Sequence, residues 1–280
     1  MKIIQTVSQL EVLLQQYRGE GKTIGFVPTM GALHTGHQRL VELCASENDV
    51  CVVSIFVNPT QFNNKEDLQR YPRTLDADSE LLLKADTDVL FAPSVEEVYP
   101  EPDNRIFDFG LLDKVMEGHF RPGHFNGVAQ VVSKLFAYTK PDRAYFGEKD
   151  FQQLAIIQAM VKQLQLPLQI VPVPIVREPS GLAMSSRNQL LSEQQRSEAA
   201  NIYRVLSESK LSVESSTPAE VIRWVVDRIS EVEELEVEYF EIVDGESLQP
   251  ILSWGVAESV VGCIAVFCGS VRLIDNIRYK

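Results

Sequence analysis

An apolar run, Ile24 to Val27, stops at Pro28, and an amphipathic run (Leu40, Val41, Leu43, Cys44) begins just after His37. Such a change of spacing across a glycine-bearing gap reads as strand, tight turn and helix N-terminus, the building block of an open α/β sheet. The gap, Met30-Gly31-Ala32-Leu33-His34-Thr35-Gly36-His37, holds two glycines that permit close backbone approach. It also holds two histidines three residues apart, which the helical period puts on one face of the first turn. Free N–H groups and the positive end of the dipole make a helix N-terminus a natural phosphate site, and two imidazoles add donors for the same anion. Two blander readings stand beside this one: ordinary turn and cap residues, or a zinc pair at helical spacing. The preceding strand and the glycines fit a phosphate better than a closed metal cage.

The same arrangement returns along the chain. A helix is expected at Ser8–Tyr17, and Val50 to Val57 is an almost continuous β-branched apolar run, as in a parallel strand covered on both faces. It ends in a polar loop, Asn58 to Asn63, at the carboxyl end of a strand, where ligands sit in open α/β sheets. Gln61 there is either solvated filler or, with an amide's donor and acceptor, a ligand for a polyhydroxylated substrate. Leu75–Lys84 reads as a helix, Val89–Ala92 as a short strand and Ile106–Phe109 as an edge strand. Met116 to Gly127 is either a mobile loop or part of a site wall, with His119 and His124 as loop residues, and Phe125–Tyr138 is a helix.

Ala144–Phe146 then runs as a strand into Gly147-Glu148-Lys149-Asp150 and a helix through Leu164. Lys149 is placed to reach a phosphate, and Gln153 follows one turn on. Asp150 either caps the helix, the safer reading, or holds magnesium. The prolines of Gln169–Val176 predict a strand at an edge or ending early. A loop, Met184-Ser185-Ser186-Arg187-Asn188, offers hydroxyl donors and a fixed cation for a triphosphate. From there helices at Glu193–Ser209 and Pro218–Glu231 precede strands at Leu235–Val243, Val260–Phe267 and Val271–Ile274. That order predicts a smaller α+β domain over 177–280 behind a Rossmann-like parallel-sheet domain over 1–176. The acidic run Glu231 to Glu238 reads as solvated surface.

Bulk composition narrows the partners. A net charge of −13 with no long block of lysine or arginine argues against a nucleic-acid partner. No apolar run approaches a membrane span, and the first residues lack a signal peptide's apolar region. Cys44, Cys51, Cys263 and Cys268 sit in or beside apolar segments without Cys-x-x-Cys spacing, as buried thiols of a reducing cytoplasm do.

Several blocks in one order carry a resemblance: Val27 to His37, Val53 to Phe62, Arg70 to Thr74, Arg121 to His124, Phe146 to Gln153, Met184 to Asn188 and Arg272-Leu-Ile-Asp-Asn276. Over nearly its whole length the chain resembles the pantoate–β-alanine ligase family, within the nucleotidyl-transferase superfamily that carries a His-Ile-Gly-His-type motif. The match is looser in the C-terminal half of the second domain. The resemblance implies ATP-dependent condensation of pantoate with β-alanine through pantoyl adenylate. It implies an ATP site over Met30, Gly31, Ala32, Leu33, His34, Thr35, Gly36 and His37, over Gly147, Glu148, Lys149 and Asp150, and over Val176, Met184, Ser185, Ser186 and Arg187.

His34, His37 and Lys149 would be catalytic, with His37 similar to the family's proposed proton donor. Gln61 and Gln153 resemble pantoate ligands, and Gln61 also meets β-alanine. Magnesium, carried with ATP and met at most by Asp150, a homodimer, a cytoplasmic location and a C-terminal lid domain complete the expectation. The rivals are a nucleotidylyltransferase or synthetase fragment, which would want more basic groups at the acceptor side or a tRNA-binding appendage, and a module that senses ATP without turning it over.

Overall fold

The computed structural model describes residues 1–62 and 65–280, so Asn63, at the end of the expected polar loop, lies outside the described residues. The chain forms two compact units, each drawn from several stretches. The first comprises Met1–Phe109, Arg121–Glu148 and Ile156–Pro174; the second comprises Gly110–Phe120, Lys149–Ala155 and Ile175–Lys280.

The first unit is built on a parallel sheet of β1 (Lys2–Ile4), β2 (Ile24–Thr29), β3 (Val50–Ile55), β4 (Val89–Phe91), β5 (Arg143–Gly147) and β6 (Gln169–Val173). The strand order is β1-β4-β3-β2-β5-β6, and every pairing is parallel. Helices α1 (Val7–Gly19), α2 (Thr35–Glu47), α3 (Lys65–Arg70), α4 (Leu75–Lys84), α5 (Val95–Val98) and α7 (His124–Thr139) accompany it, and α8 (Phe151–Gln163) leads into β6. From β2 the chain first builds outward through β3 and β4, then returns to lay β5 on the other side of β2. That reversal puts a ligand crevice at the carboxyl ends of β2 and β5.

Burial explains the strand sequences. β3 is buried at every position but its last, which is why it reads as an unbroken apolar run. Val27, Val41, Cys44, Val53, Leu82, Leu90 and Tyr145 form a core cluster, and Phe136 meets Phe26 and Phe146 edge-on with ring centroids 6.2 and 6.3 Å away.

Three expectations change. β2 does not stop at Pro28 but runs to Thr29. β5 pairs with β2 only at Gly25 and Phe26, so the strand is already an edge at Pro28, where a missing N–H is tolerated. Ile106–Phe109 is not a strand: the Asn126 side chain takes the Phe107 N–H and the Arg105 carbonyl, and Gln130 donates to the same carbonyl, so side chains stand in for a ladder. Residues 116–127 are not one long loop, because α6 (Met116–Phe120) and the start of α7 occupy much of it. By contrast β6, with Pro172 inside it, is the edge strand its prolines predict.

The second unit holds α6, α9 (Glu193–Ser209), α10 (Pro218–Ser230) and an antiparallel sheet of β7 (Leu235–Asp244), β8 (Val260–Cys268) and β9 (Val271–Arg278) in that order. Capping boxes, Ser192 with Gln195 and Thr217 with Glu220, start the two long helices. Leu206, Val221, Val225, Ile229, Ile242, Ile264 and Val266 form the core between helices and sheet. β9 runs past Ile274 to Arg278 because its pairing with β8 continues that far, with the polar Asp275 and Asn276 buried within it. The acidic run is not uniformly solvated either: Glu238 pairs with Arg272 at 2.5 Å, and the Arg272 guanidinium also meets Glu117 at 2.6 Å. All four cysteines are buried free thiols. Among the described residues no helix is long and apolar enough to cross a membrane.

Candidate active site

In the first unit the site is the turn from β2 into α2. His34 is the N-cap of α2 in an extended conformation, one residue ahead of the helix rather than inside its first turn. Its Nδ1 accepts from the Gly36 N–H at 3.1 Å, and His37 Nδ1 accepts from the His34 N–H at 3.3 Å. The pair is therefore a capping box made of imidazoles, with ring centroids 4.0 Å apart. A neutral ring whose Nδ1 accepts must carry its proton on Nε2, so the cap fixes the tautomer of both histidines. The cap and phosphate readings of the motif are thus compatible: Nδ1 serves the backbone, and Nε2–H is the donor of each ring.

The turn ahead of His34 is held by a residue that the spacing of motifs does not reveal. Gly31 and Ala32 both adopt positive φ, 82° and 49°. Buried Asp78, on α4, accepts from the Ala32 N–H at 3.0 Å and the Leu33 N–H at 2.8 Å, and Thr74 Oγ1 donates to it at 3.2 Å. A side chain on Gly31 would sit 3.1 Å from that carboxylate as well as in a left-handed conformation, so glycine is required there.

Gln61 is buried rather than solvated, in a 3-10 turn (Pro59–Gln61) after β3. Its Nε2 reaches Met30 Sδ at 3.0 Å, and its Oε1 accepts from Asn58 Nδ2 at 3.1 Å. Asn58, 1% exposed, also donates to the Gly127 carbonyl and accepts from the Tyr99 hydroxyl at 2.9 Å. His124, expected to be a loop residue, is buried at the start of α7 with Nδ1 2.9 Å from the Gln61 carbonyl. Met30 and Gln61, remote in sequence, thus belong to one cluster, set by Asn58 and His124. Gly147 and Glu148, at the carboxyl end of β5, belong to this unit too.

The second unit carries Lys149, Asp150, Gln153, Val176 and Met184 to Arg187. Lys149 Nζ lies 3.6 Å from Asp150 Oδ2. Val176 and Met184 close a short hairpin through Met184 N–H to Val176 O at 2.9 Å, with a bridge between Arg177 and Ala183. Ser185 caps the following 3-10 turn (Ser186–Leu190) by accepting from the Arg187 N–H at 3.2 Å.

Two buried carboxylates anchor this hairpin. Glu178 takes Arg196 through both oxygens at 2.8 Å and accepts from Asn188 Nδ2 at 2.8 Å. The Arg196 hydrogen bonds hold the Glu178 carboxyl below its ordinary range, against the opposing effect of burial. Asp275 accepts from Arg177 at 2.6 and 2.9 Å; burial pushes its carboxyl up, and Arg177 pulls against that shift. Among the described residues no group of three or more His, Cys, Asp or Glu gathers as a metal site.

A parallel sheet whose β2-to-β3 crossover opens on a histidine-capped helix N-terminus defines an α/β nucleotide-binding class of protein. Comparison with known proteins narrows it: residues 2–278 match the family described as pantoate-beta-alanine ligase. The chain belongs to that family. It is 60% identical over 281 residues to pantothenate synthetase of Phocaeicola vulgatus and 58% over 280 residues to that of Bacteroides fragilis, covering 100% of this chain and 99–100% of each relative. The crystal structure of pantothenate synthetase from Thermus thermophilus superposes with a TM-score of 0.93 at 44% identity, with 100% of both chains covered. Pantoate-beta-alanine ligase from Francisella tularensis, complexed with beta-gamma ATP and beta-alanine, gives 0.85 at 38% identity, covering 100% of this chain and 98% of that one.

Asp78 and Glu178 lie outside the quoted motif blocks, and Asn58 and Asp275 lie inside such blocks without a role that the motif assigns. Each touches the site through backbone or through another side chain, so no spacing rule points to it. Only the position of Asp78 inside an otherwise apolar helical face, Leu75 to Leu82, offered a hint.

Proposed function

We propose that this chain joins pantoate to β-alanine at the expense of Mg·ATP, in two steps. The carboxylate oxygen of pantoate attacks the α-phosphorus; the bond to the bridging oxygen breaks, and diphosphate leaves with that electron pair. The amine of β-alanine then attacks the acyl carbon of the pantoyl adenylate, loses a proton, and expels AMP. A carboxylate is a poor electrophile, and adenylation turns its oxygen into a leaving group.

The observation that supports this reading is the imidazole capping box. It fixes Nε2–H as the donor of His34 and His37 at a helix N-terminus, where developing negative charge on phosphate oxygens is stabilised. Met30 to His37 line the nucleotide, with His37 donating a hydrogen bond from Nε2–H to the phosphate oxygens. Gly147 and Glu148 approach it by backbone, Lys149 supplies a cation, and Val176 with Met184, Ser185, Ser186 and Arg187 contributes hydroxyls and a guanidinium. Bringing an anionic acid to a triphosphate requires such positive charge in place beforehand. Gln61 binds pantoate and β-alanine and Gln153 binds pantoate. Magnesium arrives with ATP, with Asp150 the carboxylate nearest Lys149. Residues 1–176 form the ATP- and pantoate-binding domain and 177–280 the lid, in a cytoplasmic homodimer.

The test is isotope exchange between diphosphate and ATP. Exchange dependent on pantoate and magnesium, followed by AMP release on adding β-alanine, is the expected result. Exchange with a different acid would keep the chemistry and overturn the substrate. ATP binding without exchange for any acid would make the chain a sensor. His37→Ala and Lys149→Ala should each lower exchange by about two orders of magnitude or more with an unchanged circular dichroism spectrum. Near-normal turnover in either would remove that residue from the mechanism.

A further inference from the structure

The segment Arg272-Leu-Ile-Asp-Asn276 stands apart from the phosphate-contacting stretches in sequence, and the two-step reaction assigns it nothing. Its last two residues are polar and buried: Asp275 is 5% exposed and Asn276 8%. They serve two different stretches of the second unit. Asp275 grips Arg177, the first residue of the hairpin that presents Ser185, Ser186 and Arg187, with 2.6 and 2.9 Å contacts. Arg177 is also stacked on the Tyr203 ring at 3.6 Å and donates to the Gly181 carbonyl at 3.2 Å, so its plane is fixed on several sides. Asn276 donates through Nδ2 to the Lys149 carbonyl at 3.0 Å. The Asn276 N–H in turn donates to Asp275 Oδ1 at 2.8 Å, which joins the two holds.

We infer that Asp275 and Asn276 are a positioning pair that sets Lys149 and the Ser185–Arg187 loop at a fixed separation for the triphosphate. The inference rests on the reading of Lys149 and Ser185–Arg187 as phosphate ligands. Its physical basis is that a mobile ammonium on a four-carbon stem has to be anchored at its main chain before its charge is useful. The strand-borne pair ties that main chain to the hairpin without touching substrate. The triphosphate is present only in adenylation, so the pair acts on that step and not on aminolysis of the adenylate.

Asn276→Ala, Asn276→Asp and Asp275→Asn are to be compared in both half-reactions, with thermal melting measured alongside. The expected result is a fall of about tenfold or more in kcat/KM for ATP in pantoate-dependent exchange. Aminolysis of supplied pantoyl adenylate by β-alanine should stay within about threefold of the parent. Asn276→Asp should be no better than Asn276→Ala, because a carboxylate cannot donate to the Lys149 carbonyl, whereas a packing role would be largely preserved by the near-isosteric aspartate. Should Asp275→Asn fail to fold, the two Asn276 variants decide. Unchanged exchange, or equal loss in both half-reactions tracking the melting temperature, would overturn the inference. Lys149→Ala in the same series separates the two levels. If it keeps full exchange, the phosphate reading of Lys149 is wrong; if it loses exchange while Asn276→Ala does not, only the positioning pair is wrong.

Discussion

Replacing Asp78 by alanine should loosen the nucleotide turn from behind, by releasing the Ala32 and Leu33 main-chain N–H groups rather than by removing a side chain assigned to substrate. The carboxylate accepts two main-chain N–H groups, from Ala32 and Leu33, in a setting where those residues are 4% and 9% exposed. Leaving a buried donor unsatisfied costs about 1–3 kcal/mol, so two give about 2–5 kcal/mol once partial relaxation toward water is allowed. The left-handed conformation of Ala32, φ 49°, adds strain of about 1 kcal/mol that this anchor helps to hold. Asp78→Asn keeps one acceptor but turns an amide N–H toward a main-chain N–H, and should lose about 1–3 kcal/mol.

Urea unfolding followed by circular dichroism measures the stability term, and the KM for ATP in diphosphate exchange measures the turn. Both should worsen together, with Asp78→Ala the more severe. A loss below about 1 kcal/mol with a parental KM for ATP would refute the claim that Asp78 holds the turn.

Gly127→Ala should damage substrate binding at a distance from any ligand. Its new methyl would meet the Thr60 carbonyl oxygen at 2.5 Å and Gln61 Cα at 2.9 Å, backbone atoms that can only move by displacing the Gln61 turn. The KM for pantoate should rise more than that for ATP, and an unchanged KM for pantoate would show the turn to be tolerant. Glu178→Gln should weaken the hairpin by about 1–2 kcal/mol at neutral pH, the Arg196 side being half exposed and screened. The folded-state carboxyl of Glu178 is depressed, so its contribution is present above the ordinary carboxylate range and is lost as pH falls through the lowered value. A pH series of melting temperatures should therefore show a smaller acid decline in the variant, and parallel curves would rule this contribution out.

Period and punctuation already determine much of this protein. A continuously apolar β3, the glycine turn after β2, and capping residues ahead of α9 and α10 are local features, and local physics fixes them. The histidine pair and the Ser-Ser-Arg loop were legible for the same reason: each is a contiguous run whose residue types suit one chemistry. Tertiary structure decided what is buried against what. Pro28 stays in a strand because β5 has already left its side, and Ile106–Phe109 is not a strand because Asn126 and Gln130 take its backbone groups. Asp78, Asn58 and the Asp275–Asn276 pair act across 45, 69 and 127 residues of chain, onto Leu33, Gly127 and Lys149. A buried polar group needs a partner wherever the fold supplies one, and that requirement has no period in the sequence.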